Sequence, residues 1–464
     1  MAKVQEKGAA LELMGCEEVT ASTPRNIIKN VVTMSFSFLL LFTAFQSVSN
    51  LQSSINSVQG LGTFTMATIY VALVLSCMFV PPLMIRKLNL KCTLVVSMAM
   101  YVFYFIANFY PTWATLLPAS IVMGLGGAPL WTAKCAYLTT VANDYATQTR
   151  QKPVDVVTRF FGLFFMIFQT AQIWGNLISY YVLKPASRPV NASANIDSCG
   201  IRFVTAEDDA DNKNLQPPDS AKIYTLMGIY TACSLLAVLS MFVLLDPLTP
   251  PSRLPSKKPA ALLVETLRHL RKPYQWAILP LTVYSGVQQA FLIADFTQAY
   301  VSCALGIHYV GFIMITFGLA DAVFSMAFGT IINFVGRIPI FLFGAAVNGA
   351  IIAVLCMWRP TPDQFYVFFL ISGCWGLGDA VWQTQVNAFY AIVFPDDEEA
   401  AFANYRLWES MGFIIGFAIQ KLLPIQHKVA VLAIFLVSGM LGYLAIETHL
   451  AVKKRKVVVV TRPG

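Results

Sequence analysis

The sequence predicts an all-α membrane protein, with twelve transmembrane helices arranged as two pseudosymmetric six-helix bundles. Three observations point there. Of 464 residues, 57% are apolar and only 12% are charged, against roughly 45–50% and about 25% in soluble chains. Apolar runs repeatedly reach the ~20 residues that cross a ~30 Å hydrocarbon core. Landmarks of the first half also recur in the second at a nearly constant offset. The 32 basic and 24 acidic residues are too few to coat a soluble protein of this length. Disorder is excluded too, since it needs low hydrophobicity and high charge.

In chain order, the spans of the first half fall at 27–48, 61–83, 92–110, 113–138, 160–183 and 223–245. A polar segment at 1–26 precedes them; the basic segment 84–92 divides spans two and three, and the polar stretch 139–157 divides four and five. The second half follows at 276–294, 309–332, 338–358, 365–390, 402–423 and 429–451. A backbone in lipid must satisfy its own hydrogen bonds, and the alternation of a membrane barrel is absent, so these spans read as helices.

Lys and Arg set the orientation. With the N-terminus cytoplasmic, inside segments hold 21 of them: four in 1–30, three in 84–92, two in 139–157, six in 246–274, Arg337, and five in 452–464. Outside segments hold eight, five in the long 184–222 loop, then Arg359, Lys421 and Lys428. Both termini are therefore expected on the cytoplasmic side. The net charge of +8 records this bias and does not point to nucleic acid. The clusters Arg253/Lys257/Lys258, Arg271/Lys272 and Lys453–Lys454–Arg455–Lys456 anchor the topology. Such clusters also attract anionic headgroups, at about 1 kcal/mol per basic residue near the surface.

The expected domains are a cytoplasmic tail (1–26), a six-helix bundle (27–245) with an outside loop (184–222), a basic and Pro-rich linker (246–275), a second bundle (276–451) and a basic tail (452–464). No cleavable signal peptide is apparent in the polar first 26 residues. Asn191-Ala192-Ser193 is a glycosylation sequon in the outside loop. Of nine cysteines, only Cys199 and Cys303 reach the oxidising side. They are candidates for a disulfide, though sequence does not set the distance between them.

The repeat is specific. Gly124–Trp131 reads G-L-G-G-A-P-L-W and Gly376–Trp382 reads G-L-G-D-A-V-W, 252 residues on. The loop Pro82-x-x-x-Arg86-Lys87-x-Asn89 corresponds to Gly329-x-x-x-Asn333-Phe334-x-Gly336-Arg337 at offset 247, and Arg159-Phe160 to Arg406-Leu407 at the same offset. Six spans repeated in the same orientation make a parallel repeat.

These loops resemble those of the major facilitator superfamily. Leu39–Ser47 (LLLFTAFQS), Ile167–Ser179 (IFQTAQIWGNLIS), Asp379–Ala388 (DAVWQTQVNA) and Glu399–Phe413 (EAAFANYRLWESMGF) resemble, more narrowly, the uncoordinated-93 family and its A-type members. The resemblance implies two six-helix bundles around a central cavity. It also implies a non-enzymatic accessory role at the plasma membrane: one relative is a regulatory subunit of a two-pore potassium channel, and the B-type relative escorts Toll-like receptors. The chain departs from the superfamily at the loop acid that pairs with Arg to stabilise one access state. That position is Arg86 in the first half and Asn333 in the second, and the next basic position is Lys87, then Phe334.

Charges inside a membrane cost about 2.5–3.5 kcal/mol each on insertion scales, which makes them functional candidates. Lys134, Asp321 and Asp379 lie inside spans four, eight and ten, and Arg406 and Glu409 share a face of span eleven at i and i+3. One reading is a midplane solute or proton site with Lys134 against Asp379 or Asp321; the competing one is ion pairs that fix helix packing. Gln169, Gln288, Gln383, Gln385 and Asn387 add polar groups on spans five, seven and ten. They suit either a cavity lining or interhelical bonds averaging about 0.6 kcal/mol. Enzymes find no support: the chain has neither a Walker A sequence nor His-Glu-x-x-His, and its four histidines (269, 308, 427, 449) are dispersed. No cofactor is expected. The expected partners are the bilayer and a potassium channel or other membrane protein, with a small solute only under a transporter reading.

Overall fold

A computed structural model describes residues 23–185, 198–203, 212–248, 268–395 and 398–460. Asn191, most of the 246–275 linker, and Asp396 with Asp397 lie outside them. Eleven helices among the described residues are long and apolar enough to cross a bilayer. The remaining expected span, eleven, is also helical, over Glu398–Ile419; Arg406, Glu409 and Asn404 lower its hydropathy.

Span one runs Pro24–Ile55, started by Thr23, whose hydroxyl accepts from the Asn26 amide, and by Pro24 at the first helical position. Spans two and three form one helical run, Leu61–Ala107, broken at Asn89. Span four is Trp113–Thr149, opened by a reciprocal Thr112–Thr115 capping box. Span five comprises Pro153–Gln169 and Ala171–Leu183, and span six is Ser220–Leu244. Span seven is α-helical over Pro273–Ala290, π-helical over Phe291–Ser302, and ends at Leu305. It therefore runs 11 residues past the expected end at 294. Asp295, Thr297 and Gln298 depress the hydropathy there, yet all three are buried.

Spans eight and nine are His308–Val335 and Arg337–Met357. Span ten is Phe365–Val381, a π-helical turn Trp382–Val386, and Asn387–Val393. Span twelve, Ile425–Val460, continues beyond the expected end at 451.

The chain packs as two units. One comprises Met1–Ala192, Gln216–Pro259 and Ile307–Leu319; the other comprises Ser193–Leu215, Ala260–Gly306 and Ala320–Gly464. Each unit makes its turn into the third helix of its half in the same way. Asn89 has φ 63° and ψ 179°, and Gly336, 247 residues on, has φ 75° and ψ 177°. This backbone region, positive φ with ψ near 180°, is essentially confined to Gly, so Asn89 holds it at a cost of about 1–3 kcal/mol. Asn89 additionally caps the helix it starts, its side-chain oxygen accepting from the Cys92 amide at 3.0 Å.

Small residues let helices touch backbone to backbone. In the second unit, a Cβ on Gly286 would strike the Glu409 carbonyl, and one on Gly412 the Val283 carbonyl. Gly416 abuts Ala290 one turn further on. Spans seven and eleven therefore meet along Gly286 and the Gly412-x-x-x-Gly416 stripe, which brings Glu409 beside span seven. Gly412→Val is expected to lower the folded yield and cost at least about 2 kcal/mol through overpacking. Gly228→Ala, placed in a helix interior where nothing lies within 4 Å of the added atom, should not lower the thermal midpoint of the purified protein.

Candidate functional site

The second unit gathers most of the intramembrane charge. Asp379, on the α-helical turn of span ten just before its π-helical turn, is buried and accepts hydrogen bonds from the amides of Gln288 and, at 3.0 Å, Gln289. Gln288 is held in turn by the Trp375 indole, which donates to its carbonyl oxygen. Asp321 of span eight accepts from Ser325 at 3.3 Å and lies close enough for its charge to act on Asp379.

One turn of π-helix separates this group from a second. Glu409 accepts from Gln383 at 3.1 Å, from the Tyr405 hydroxyl at 2.9 Å and from Arg406 at 2.7 Å. Gln383 also donates to Ser285, and its backbone carbonyl accepts from Asn387 at 2.6 Å. Gln385 is buried and donates to Thr384. Gln383, in the π-helical turn, thus reaches Glu409 with its side chain and Asn387 with its carbonyl. Thus Asp321, Asp379, Arg406, Glu409, Gln288, Gln383, Gln385 and Asn387 all lie in one unit.

Lys134 and Gln169 belong to the first unit. Lys134 is 2% exposed, and its ammonium sits 4.7–5.3 Å from the ring centroids of Trp131, Phe161, Phe164 and Phe165. Each such contact is worth about 2 kcal/mol when desolvated. Trp131 and Phe164 also pack edge-on against Phe38. Gln169 is the half-buried last residue of the first helix of span five. Nearby polar groups bind helix to helix: Asn50 donates to Asn176 at 3.0 Å, and Asn176 donates to Gln172.

Three charged clusters escape a reading by hydropathy. Asp295 and Lys428 form an ion pair at 2.6 Å, with side chains 2% and 3% exposed. Lys428 also donates to the Gln420 carbonyl, and the Gln420 amide to Gln298. Both charges fall one residue outside the expected spans, so they resemble loop residues. The apolar continuation Phe296-x-x-x-Tyr300-Val301 beyond Asp295 is the signal that could have found them.

The other two clusters are clasps near the ends of spans six and twelve. Glu447 binds Arg337 through two oxygens, one at 3.0 Å from the second guanidinium nitrogen, and accepts from Tyr443 at 3.0 Å. Asp246 binds Lys29 at 2.8 Å, and its amide donates to Asn30 while its carbonyl accepts from Tyr137. Arg337 is the arginine of the repeated loop. With no acid at position 333, it finds one on span twelve.

Cys199 and Cys303 form a disulfide with Cα atoms 5.6 Å apart. The Asn212 and Asn214 amides donate to the Cys303 carbonyl at 3.2 and 3.0 Å, and Asn214 also to Ala304 at 3.2 Å. These side chains satisfy carbonyls that the end of span seven leaves without helical partners. Residues 198–203 and 212–215 of the outside loop are therefore fastened to the second unit.

Comparison with known proteins places these features in a family. The profile described as ion channel regulatory protein UNC-93 matches residues 52–444. The protein unc-93 homolog A of Xenopus laevis is 42% identical over 430 residues, covering 90% of this chain and 93% of that one. A Caenorhabditis elegans protein, unc-93, named as a candidate potassium channel regulatory protein, is 36% identical over 461 residues, covering 96% of this chain and 65% of its own. Among solved structures, the nucleoside transporter NupG superposes with a TM-score of 0.60 at 14% identity, covering 90% of this chain and 98% of NupG. That likeness shows the fold alone, which is the major facilitator fold.

The buried Asp295–Lys428 pair yields a prediction. Removing one partner strands a charge, so Asp295→Leu or Lys428→Met alone should cost about 3–5 kcal/mol. The double variant should recover most of that loss, as read by thermal unfolding in detergent.

Proposed function

The chain belongs to the UNC-93 family, and on that premise we propose that it is a non-enzymatic accessory subunit that regulates or escorts a membrane partner, with a potassium channel as that partner. It is a multi-pass membrane protein of the major facilitator fold. Its relatives carry the names of regulatory proteins and homologues thereof. In this reading it resides in the plasma membrane with both termini cytoplasmic and Asn191 glycosylated outside.

The observation that carries the reading is the Arg337–Glu447 clasp. Where the loop arginine of a transporter pairs with a loop acid to stabilise one access state, this arginine is committed to span twelve of its own unit. The same economy holds for Glu409, engaged by Arg406, Tyr405 and Gln383. Charges consumed in this way favour a scaffold over a cycling carrier.

A second reading, a proton-coupled secondary transporter of a small solute, is favoured by one observation. Asp379 is buried, accepts from the side-chain amides of Gln288 and Gln289, and lies near Asp321.

The two readings separate in one pair of measurements. Co-expression should change the current of a two-pore-domain potassium channel per channel at the surface, and purified protein in liposomes should move no solute under a pH or sodium gradient. Saturable flux abolished by Asp379→Asn would overturn the accessory reading in favour of transport.

A further inference from the structure

Three hydrogen bonds hold spans one and six side by side and antiparallel. The Ser47 hydroxyl meets that of Tyr230 at 2.6 Å, Ser37 meets Ser240 at 2.7 Å, and the Asp246 amide donates to Asn30 at 3.2 Å. Asp246 is held at two further points. Its carboxylate takes Lys29 at 2.8 Å, and its carbonyl accepts from the Tyr137 hydroxyl of span four at 2.8 Å. Lys91, the second residue of span three after the Asn89 turn, joins this group. It is 5% exposed and lies close enough to Asp246 and Lys29 for both charges to act on it. Its ammonium sits 5.7 Å from the centroid of the Phe242 ring on span six.

Two ammonium groups thus flank one carboxylate. Arg25, exposed one turn before Lys29 on the same face of span one, adds a third cation. The helices of spans one and three both begin at this end of the unit, where helix dipoles favour negative charge. Neither the first turn of span one nor the segment 84–92 holds an acid. The nitrogen of the Asn30 carboxamide is buried and has no hydrogen-bond partner among the described residues, so a donor is left over beside the Asp246 amide. The cluster opens outward through Lys29 and Asp246, whose side chains are 44% and 29% exposed. Further into the span the surface turns apolar. Phe242, Leu239 and Leu235 are exposed and share one face of span six at spacings of three and four.

Ammonium groups at the head of an exposed apolar stripe match a molecule with an anionic head and apolar chains. We propose that the joint of spans one, three and six binds the phosphate of an anionic phospholipid between Lys29 and Lys91, with an acyl chain along Phe242, Leu239 and Leu235. The Asp246 carboxylate competes with that phosphate for the same two ammonium groups. The contact of Lys91 with Phe242 is what joins the head of the site to its apolar path. In the orientation proposed above the lipid belongs to the inner leaflet. Binding itself does not depend on that orientation, so a failure of either can be told apart.

The test uses the full-length protein in detergent micelles, with lipid retained on the folded protein read by native mass spectrometry after addition of phosphatidic acid, phosphatidylserine or phosphatidylcholine. The two anionic lipids should be retained and phosphatidylcholine lost. Lys29→Gln should lower phosphatidic acid occupancy about fivefold. Asp246→Asn breaks the same ion pair but removes the competing carboxylate, so it should raise occupancy. An ion pair that serves packing alone gives both variants the same change or none, and either result overturns the site. Equal retention of phosphatidylcholine overturns it as well. So does a loss in Lys184→Gln, at the far end of span five, as large as that in Lys29→Gln, since the charge would then act diffusely. Displacement of phosphatidic acid by an equal concentration of glycerol 3-phosphate would overturn the assignment to lipid in favour of a soluble phosphate.

Discussion

A charge in hydrocarbon has no water to answer it, and this constraint organises both units of the protein. Several charged side chains described inside the spans have a partner within their own unit. Asp295 has Lys428, Glu409 has Arg406 and two hydroxyl or amide donors, and Asp379 has a pair of glutamines braced by Trp375. Lys134 is answered by aromatic faces. The helices that carry these groups approach through glycine: Gly286 and Gly412 bring spans seven and eleven close enough for Glu409 to join the polar residues of spans seven and ten. Packing and electrostatics are thus one arrangement, since the glycines set distances at which the charges can be paired.

The repeat shows how such an arrangement diverges without losing its fold. Asn89 and Gly336 hold the same unusual backbone conformation 247 residues apart, so the turn into the third helix of each half is retained. The ion pairs around that turn have moved. In the second unit Arg337 reaches Glu447; in the first, Lys29 reaches Asp246, and Lys91 feels the charge of both. Each clasp fastens the end of the last helix of a half to helices of the same unit. Membership of the UNC-93 family and a major facilitator fold are compatible with this, because the fold is held while the loop chemistry characteristic of transport is altered.

Much of this was legible in the sequence, and the exceptions share a cause. Span positions followed from hydropathy because lipid imposes a minimum length. The Arg406–Glu409 pair followed from helical spacing alone. Asp295 and Lys428 did not stand out, because a hydropathy window ends a span at the first charge and so files a buried ion pair as loop; Glu447 lies inside the expected span twelve but its partner Arg337 lies in a loop. The π-helical stretches Phe291–Ser302 and Trp382–Val386 were equally silent. An extra residue in a helical turn leaves no trace in apolar periodicity when the helix is apolar on every side. Lys134 was visible as a charge, but its ring cage needed the neighbouring span to be in place.

In the function proposed above, the intramembrane charges hold each bundle together while the protein acts on a channel. The most direct measurement is the potassium current of a co-expressed channel, normalised to surface protein, with the charge pair exchanged as Asp295→Lys/Lys428→Asp. If the pair is structural, the exchanged variant regulates the channel as the wild type does, while the single variants lose surface abundance. Normal surface abundance with regulation abolished in the exchanged variant would contradict it, since the charges would then be acting by position and sign and not as a bond.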